Sequence, residues 1–232
     1  MSSRETLSRH RGGQRTLGLE ELPFFSSQGG GAAVILGPPG LARDNVFLRL
    51  LGLSLSRGKS LVFHTRPSVR VERLRELVHC GEDLLSRALF RRVPTMEDQE
   101  TLVERLDMTI ARMDSRSVFF DSPSDNYLVS LSLVTQSPLG LKGVNASVVK
   151  QFAYLKAASV DMNVKTLVTM GTRSGINAVE EYLLRDWPDL VIRTKLGSES
   201  DAEFELGGSG GALNTTADVV TLEGHALTAI GG

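Results

Sequence analysis

Sulfur and aromatic side chains are scarce in this chain, and neither sign of charge dominates it. Among 232 residues there is one cysteine, Cys80, which excludes an intrachain disulfide and any multi-thiolate metal site. Cys80 closes an amphipathic helical pattern, where a small buried hydrophobe is the expected role. Basic and acidic residues number 26 and 27, for a net charge of −1. That balance removes any bulk electrostatic case for nucleic acid or a membrane surface. No apolar run approaches the roughly 18 residues of a membrane span. The start of the chain carries Arg4, Arg9, Arg11 and Arg15 and lacks the apolar core of a secretory signal. A cytoplasmic protein is expected, or a nuclear one if the source is eukaryotic. His10, His64, His79 and His225 show no ligand spacing, so no metal site is expected.

What the chain does contain is an alternation of β-like runs and helical patterns. Residues 1–16 read as a flexible arm, and 17–232 as one domain. After Gln28-Gly29-Gly30-Gly31 comes the apolar run Ala33 to Leu36, then a helical pattern from Leu41 to Leu55 that stops near Gly58. Ser60 to His64 is a strand candidate. Ser68 to Cys80 puts Val71, Leu74, Leu77 and Val78 on one helical face. Ala88 to Val93 is a further strand. Thr95-x-x-Asp98 resembles a capping box ahead of one helix striped by Leu102, Val103, Leu106, Ile110 and Met113. Ser117 to Asp121 is a strand, 122–144 a mixed segment, Asn145 to Ser159 a helix and Val164 to Met170 a strand. Strands separated by helices imply βαβ crossovers and a mostly parallel central sheet flanked by helices. Leu190 to Leu196, Ala202 to Leu206 and Val219 to Leu222, divided by Gly-rich turns, predict antiparallel hairpins at one edge.

The first strand runs into Gly37-Pro38-Pro39-Gly40-Leu41-Ala42-Arg43-Asp44. On the phosphate-loop pattern G-x-x-x-x-G-K-[ST], whose backbone N–H groups cradle phosphates, Gly37 holds the first glycine and Gly40 lies inside the loop. Ala42 replaces the second glycine, Arg43 the lysine and Asp44 the hydroxyl residue. Phe119-Phe120-Asp121-Ser122 is similar to a Walker B strand, whose carboxylate holds the Mg²⁺ shell. Gly58-Lys59-Ser60 also spells the end of a phosphate loop. Its partner glycine would fall at Leu53, and a helix precedes it where a strand belongs, so it reads as a helix stop.

The order of these features resembles the RecA superfamily, in its KaiC-like and archaeal recombinase-paralogue branch. Leu17-Gly18-Leu19-Glu20-Glu21-Leu22, the Gly37-Pro38-Pro39-Gly40 loop, and Val62-Phe63-His64-Thr65 followed by Val71-Glu72-Arg73-Leu74 all match its pattern in kind. The most specific likeness is Val164 to Thr169, then Gly175-Ile176, Val179-Glu180-Glu181-Tyr182-Leu183 and Asp189-Leu190-Val191-Ile192. The resemblance covers residues 17–195. It implies a RecA-like phosphate-loop fold with antiparallel C-terminal hairpins, and association with other RecA-fold subunits in a homo- or hetero-oligomer.

The departures bear on chemistry. The family's ATPases place a catalytic carboxylate just after the second strand, where this chain has Thr65-Arg66-Pro67. The late strand runs on into Met170-Gly171-Thr172-Arg173 in place of the polar sensor of recombinases. Arg43 keeps a cation but not a compact point charge, and Asp44 would set a carboxylate beside a phosphate. Such like charge costs on the order of 1–4 kcal/mol at surface-like dielectric, or one to three decades of affinity at about 1.4 kcal/mol each. The expectation is a vestigial nucleotide site formed by Gly37, Pro38, Pro39, Gly40, Leu41, Ala42, Arg43 and Asp44, a Walker B-like Asp121, no catalytic residue and at most weak ATP and Mg²⁺ binding. The function implied is that of a non-catalytic regulatory or scaffold subunit linked to DNA recombination or repair. The alternatives are an atypical KaiC-like ATPase, an Elongator-type RecA-like subunit, and a nucleic-acid module using the arginines from Arg66 to Arg92. Those arginines also suit solvated helix faces. Arg173 in its Gly-flanked turn reads as an inter-subunit finger or as a solvated loop residue.

Overall fold

The computed structural model describes residues 23–26, 28–65, 71–78, 81–134, 138–171, 186–194, 201–206 and 219–221. Its centre is β1 (Gly31–Leu36), in which all six residues are buried. A strand apolar on both faces belongs inside a parallel sheet covered on both sides. Helix α2 (Leu41–Arg57) follows, then β2 (Lys59–His64), α3 (Val71–Val78), α4 (Glu82–Leu85) and β3 (Ala88–Arg92). Helices α5 (Met96–Glu104) and α6 (Leu106–Met113) lead to β4 (Ser115–Asp121). After α7 (Pro123–Val134), α8 (Pro138–Asp161) and β5 (Lys165–Met170) come β6 (Leu190–Thr194), β7 (Asp201–Leu206) and β8 (Val219–Thr221). The short α1 (Pro23–Ser26) precedes them all.

The strands form one sheet in the order β3-β2-β4-β5-β1-β6-β7-β8. The first six run parallel, and β7 and β8 each join antiparallel. This is an α/β architecture with a parallel sheet, and the antiparallel edge lies where the Gly-rich turns predict it. Alternation along the strands divides the interior in two. Ala33, Ile35, Val62, Phe119, Leu167 and Ile192 pack with α2 on one face. Val34, Leu61, Phe63, Phe120 and Val168 face the opposite way and pack with side chains of α5, α6, α7 and α8. Each layer has its own aromatic contact, Phe47 on Phe119 at 5.5 Å and Phe63 on Phe120 at 5.8 Å, both edge-to-face. No helix among the described residues is long and apolar enough to cross a membrane.

The short helices α1 and α4 have no counterpart in the sequence reading, and three elements between Thr95 and Asp161 differ from expectation. The single helix after Thr95 is two, because Arg105 leaves helical geometry (φ −113°, ψ 15°) and its N–H bonds Leu102 and Val103 carbonyls in a tightened last turn. The stripe still holds, since Leu102, Leu106 and Ile110 are all buried. The Thr95 cap is present, its hydroxyl accepting from the Asp98 N–H at 3.0 Å. The mixed segment contains α7, whose signal was Pro123 at the first helical position with Asp125 in the first turn. Helix α8 starts at Pro138, well before Asn145; its added first turns hold the poor helix formers Gly140 and Gly143 and, among the described residues, no buried side chain, burial beginning at Val148. Gly58 ends α2 and leads into β2, so Gly58-Lys59-Ser60 is a helix stop. Trp187 anchors the approach to β6: its Nε1–H donates to the Phe152 carbonyl at 2.6 Å.

Candidate functional site

Strands β1, β2, β4, β5 and β6 are parallel, so the loop after β1 and the ends of the others share the carboxyl edge of the sheet. Ligands of open α/β proteins collect at that edge. Helix α2 leaves β1 toward one face and α7 leaves β4 toward the other, as their separate cores require. The loop, Asp121 and Thr169 meet between these departures.

The loop itself is short. Gly37 extends the β1–β5 ladder by donating its N–H to the Met170 carbonyl at 3.1 Å. A Cβ on Gly37 would stand 1.9 Å from Thr194 Oγ1 and 3.0 Å from the Thr194 carbonyl, so close approach of β6 requires glycine there. Gly40 caps α2 at φ 154° and ψ −174°, a region open essentially to glycine alone. The helix begins at Leu41, and Asp44 N–H already bonds the Gly40 carbonyl at 3.1 Å. Leu41 and Ala42, loop positions on the phosphate-loop pattern, therefore lie in the first helical turn. Pro38 and Pro39 carry no N–H. The remaining backbone donors are those of Gly40 and of the unbonded first turn, Leu41 to Arg43, at the positive end of the helix dipole.

The two replaced residues lie against each other. Arg43 is buried, with its Nε 3.7 Å from Asp44 Oδ1 and no hydrogen-bond partner for that nitrogen. Asp44 has its pKa raised, first by burial and then by Asp121, against the opposing pull of Arg43 and Arg73. Arg73, from α3, donates through Nε and Nη2 to Asn45 Oδ1 at 3.1 and 2.8 Å. A cluster of charged groups thus occupies the ground in front of the loop.

Behind it, Asp121 is buried at the end of β4. Its Oδ1 accepts from Thr169 Oγ1 at 2.6 Å and from Ser122 Oγ at 3.0 Å. The Thr169 hydroxyl in turn accepts the Ser122 N–H at 2.8 Å. Thr65, just past β2, donates to the Ser122 carbonyl at 3.1 Å. These bonds hold Ser122 at φ 57°, a left-handed conformation that costs a non-glycine residue about 1–3 kcal/mol. Ser122 serves as a clamp on the Asp121 carboxylate. His64 ends β2 beside Asp121 in the sheet register.

The structure brings Gly37 to Asp44 and Asp121 to one edge. It adds Thr169, Ser122, Thr65, Asn45, Arg73 and Thr194, which the sequence did not single out as a set. Thr169, the last residue of the Val164–Thr169 run, sits inside β5 one position before Met170. Hydroxyl residues at or next to the ends of hydrophobic strands were the available signal. Among the described residues, no group of three or more His, Cys, Asp and Glu side chains could hold a metal ion. The described arginines of the Arg66–Arg92 stretch do not form one face. Arg73 belongs to this site, Arg75 pairs with Glu82 and Arg87 donates to the Leu55 carbonyl. Arg91 and Arg92 are adjacent on β3 and point to opposite faces. The arm 1–16, Leu17 to Leu22, Arg66, Arg70, Cys80, Arg173 and the Gly175 to Leu183 run lie outside the described residues. Compared with known proteins, the chain matches no family profile and no curated sequence.

Proposed function

We propose that this chain is a RecA-like protein that has given up nucleotide hydrolysis and works as a regulatory or scaffold subunit of a hetero-oligomer, in DNA recombination or repair. The observation that carries this reading is the contact of Arg43 with Asp44, Nε to Oδ1 at 3.7 Å, in the first turn of the helix that follows a glycine loop. A phosphate brought to the first turn of α2 meets two carboxylates there. The cation meant to offset them, Arg43, is buried against Asp44. The link to DNA transactions and the identity of the partner subunits rest on the sequence resemblance alone.

Calorimetric titration with ATP and Mg²⁺ tests this. The wild-type chain should give no micromolar binding and no turnover. The combined variant Ala42→Gly, Arg43→Lys, Asp44→Thr should gain affinity by about one to three decades, the cost assigned to like charge at the loop. Micromolar binding by the wild type, with turnover lost in Asp121→Ala, would establish an atypical ATPase instead. A combined variant that gains nothing would remove the phosphate-loop ancestry.

A further inference from the structure

The sheet face covered by α5 and α6 is left open at its outermost strand, β3. Alternation along β3 turns Leu89 and Arg91 toward that face, in register with Leu61 and Phe63 of β2. Leu61 and Phe63 are buried, yet Leu89 remains 38% exposed. The helices opposite contribute Leu102, Arg105, Met108 and Arg112. These form one helical stripe that continues across the break at Arg105, and Met108 on it is 60% exposed. Between strand and stripe lies a cleft of about 450 Å³.

Its walls divide by chemistry. Phe63, Leu89, Leu102 and Met108 make an apolar surface. Arg91, Arg105 and Arg112 bring three cations, from β3, from the break between α5 and α6, and from the last turn of α6. No carboxylate lines the cleft. Among the described residues, none of the three guanidinium groups makes an ion pair or a hydrogen bond. The acids closest to Arg105 in the chain are engaged elsewhere. Glu104 is held by Lys150 at 2.7 Å, and Asp107 accepts from the Met108 N–H at 2.7 Å. The carboxyl end of α6 offsets only about half a charge, so the cleft stays cationic.

We infer that this cleft binds a small amphipathic carboxylate, its apolar body laid on Leu89, Phe63, Leu102 and Met108 and its head held by the exposed arginines. Guanidinium forks match a carboxylate bidentately. An anion with no apolar body would leave Leu89 and Met108 in water. An apolar molecule with no charge would leave three cations without a counterion. A ligand with both parts answers both walls. The volume falls in the range of small-ligand sites, about 300–1,000 Å³, and a mostly apolar lining with a few polar groups is their usual make-up. The inference is independent of the reading of the glycine loop.

Decanoate (below its micelle concentration), 1-decanol and acetate are titrated calorimetrically into the full chain. The variants are the double reversal Arg91→Glu/Arg112→Glu, Met108→Glu on the apolar wall, and Arg116→Glu on β4, which lies outside the cleft and controls for net charge. All four side chains are exposed, so the variants should fold, which a thermal melt checks. The expected result is saturable decanoate binding, weakened at least tenfold by the double reversal and by Met108→Glu and unchanged by Arg116→Glu. Decanol and acetate should each bind at least tenfold more weakly than decanoate. Absence of saturable decanoate binding overturns the inference, as does binding that survives the double reversal or is matched by decanol or acetate. A dimer seen by sedimentation and dissolved by Met108→Glu would give the cleft to a second copy of the chain, and overturns it equally.

Discussion

At the scale of single residues, the carboxyl edge is governed by what burial does to charge. Asp44 is pushed toward its neutral form mainly by burial, with Asp121 adding to the effect. Between the ordinary aspartate pKa of about 3.9 and the raised folded value, the folded state binds more protons than the unfolded chain. Stability from this group is therefore full below the unfolded pKa and is lost as pH rises through the folded one. Denaturant unfolding measured in steps upward from pH 3.5 should show that decline, and Asp44→Asn should flatten it. A decline of equal size in the variant would assign it to other groups. Asp121 is kept differently, by two hydroxyl donors on one oxygen. The two carboxylates have separate surroundings, and the sequence, which shows only two aspartates, gives no hint of that difference.

At the scale of elements, the turn from β1 into α2 is set by what stands beside it. Gly37 is required because Thr194 approaches from β6, a strand more than 150 positions away in sequence. Gly37→Ala should destabilise by about 1–3 kcal/mol, the usual cost of forcing atoms into a packed site. Thr194→Ala should recover part of this in the double variant, since it removes the atom at 1.9 Å. The hydroxyl of Thr194 has no hydrogen-bond partner, so Thr194→Ala alone should cost little. Urea unfolding of the set of variants checks both, and strictly additive effects would disprove the contact. The glycine itself was legible in the sequence as part of a loop motif. Its reason was not, because a motif records spacing along the chain and the clash is across the sheet. The same holds for the helix breaks. Thr95 announced its cap, whereas the interruption at Arg105 follows from fitting two short helices over one face.

At the scale of the molecule, one sheet separates two apolar layers. Phe47 belongs to the α2 side, with Phe119 as its aromatic partner. Phe152 belongs to the other side and packs on Trp187 at 5.1 Å. Having no shared partner, the two positions should behave independently. Phe47→Leu and Phe152→Leu should each lower unfolding free energy, and the double variant should match their sum within about 0.5 kcal/mol. An interaction term above about 1 kcal/mol would mean that the layers are coupled through the sheet. Because the strands run parallel, the cluster around Asp44 and Asp121 lies at one edge of the sheet and Arg57, Arg116 and Lys165 at the other.

The sequence by itself determined the α/β class, the parallel core with its antiparallel edge, and the loop-to-helix turn at Gly37. Each rests on local spacing: apolar period along strands and helices, and glycine where the backbone must turn. Only the tertiary structure decided which residues share an edge. Thr169 reaches Asp121 from 48 positions away, and Thr194 meets Gly37 because β6 pairs with β1. Arg116 and Lys165 converge on Arg57 because β4 and β5 are neighbours. Strand order brings these residues together, and the local pattern of a chain does not record it. The sheet assembles to bury its faces, and the chemistry at its edges follows from that order.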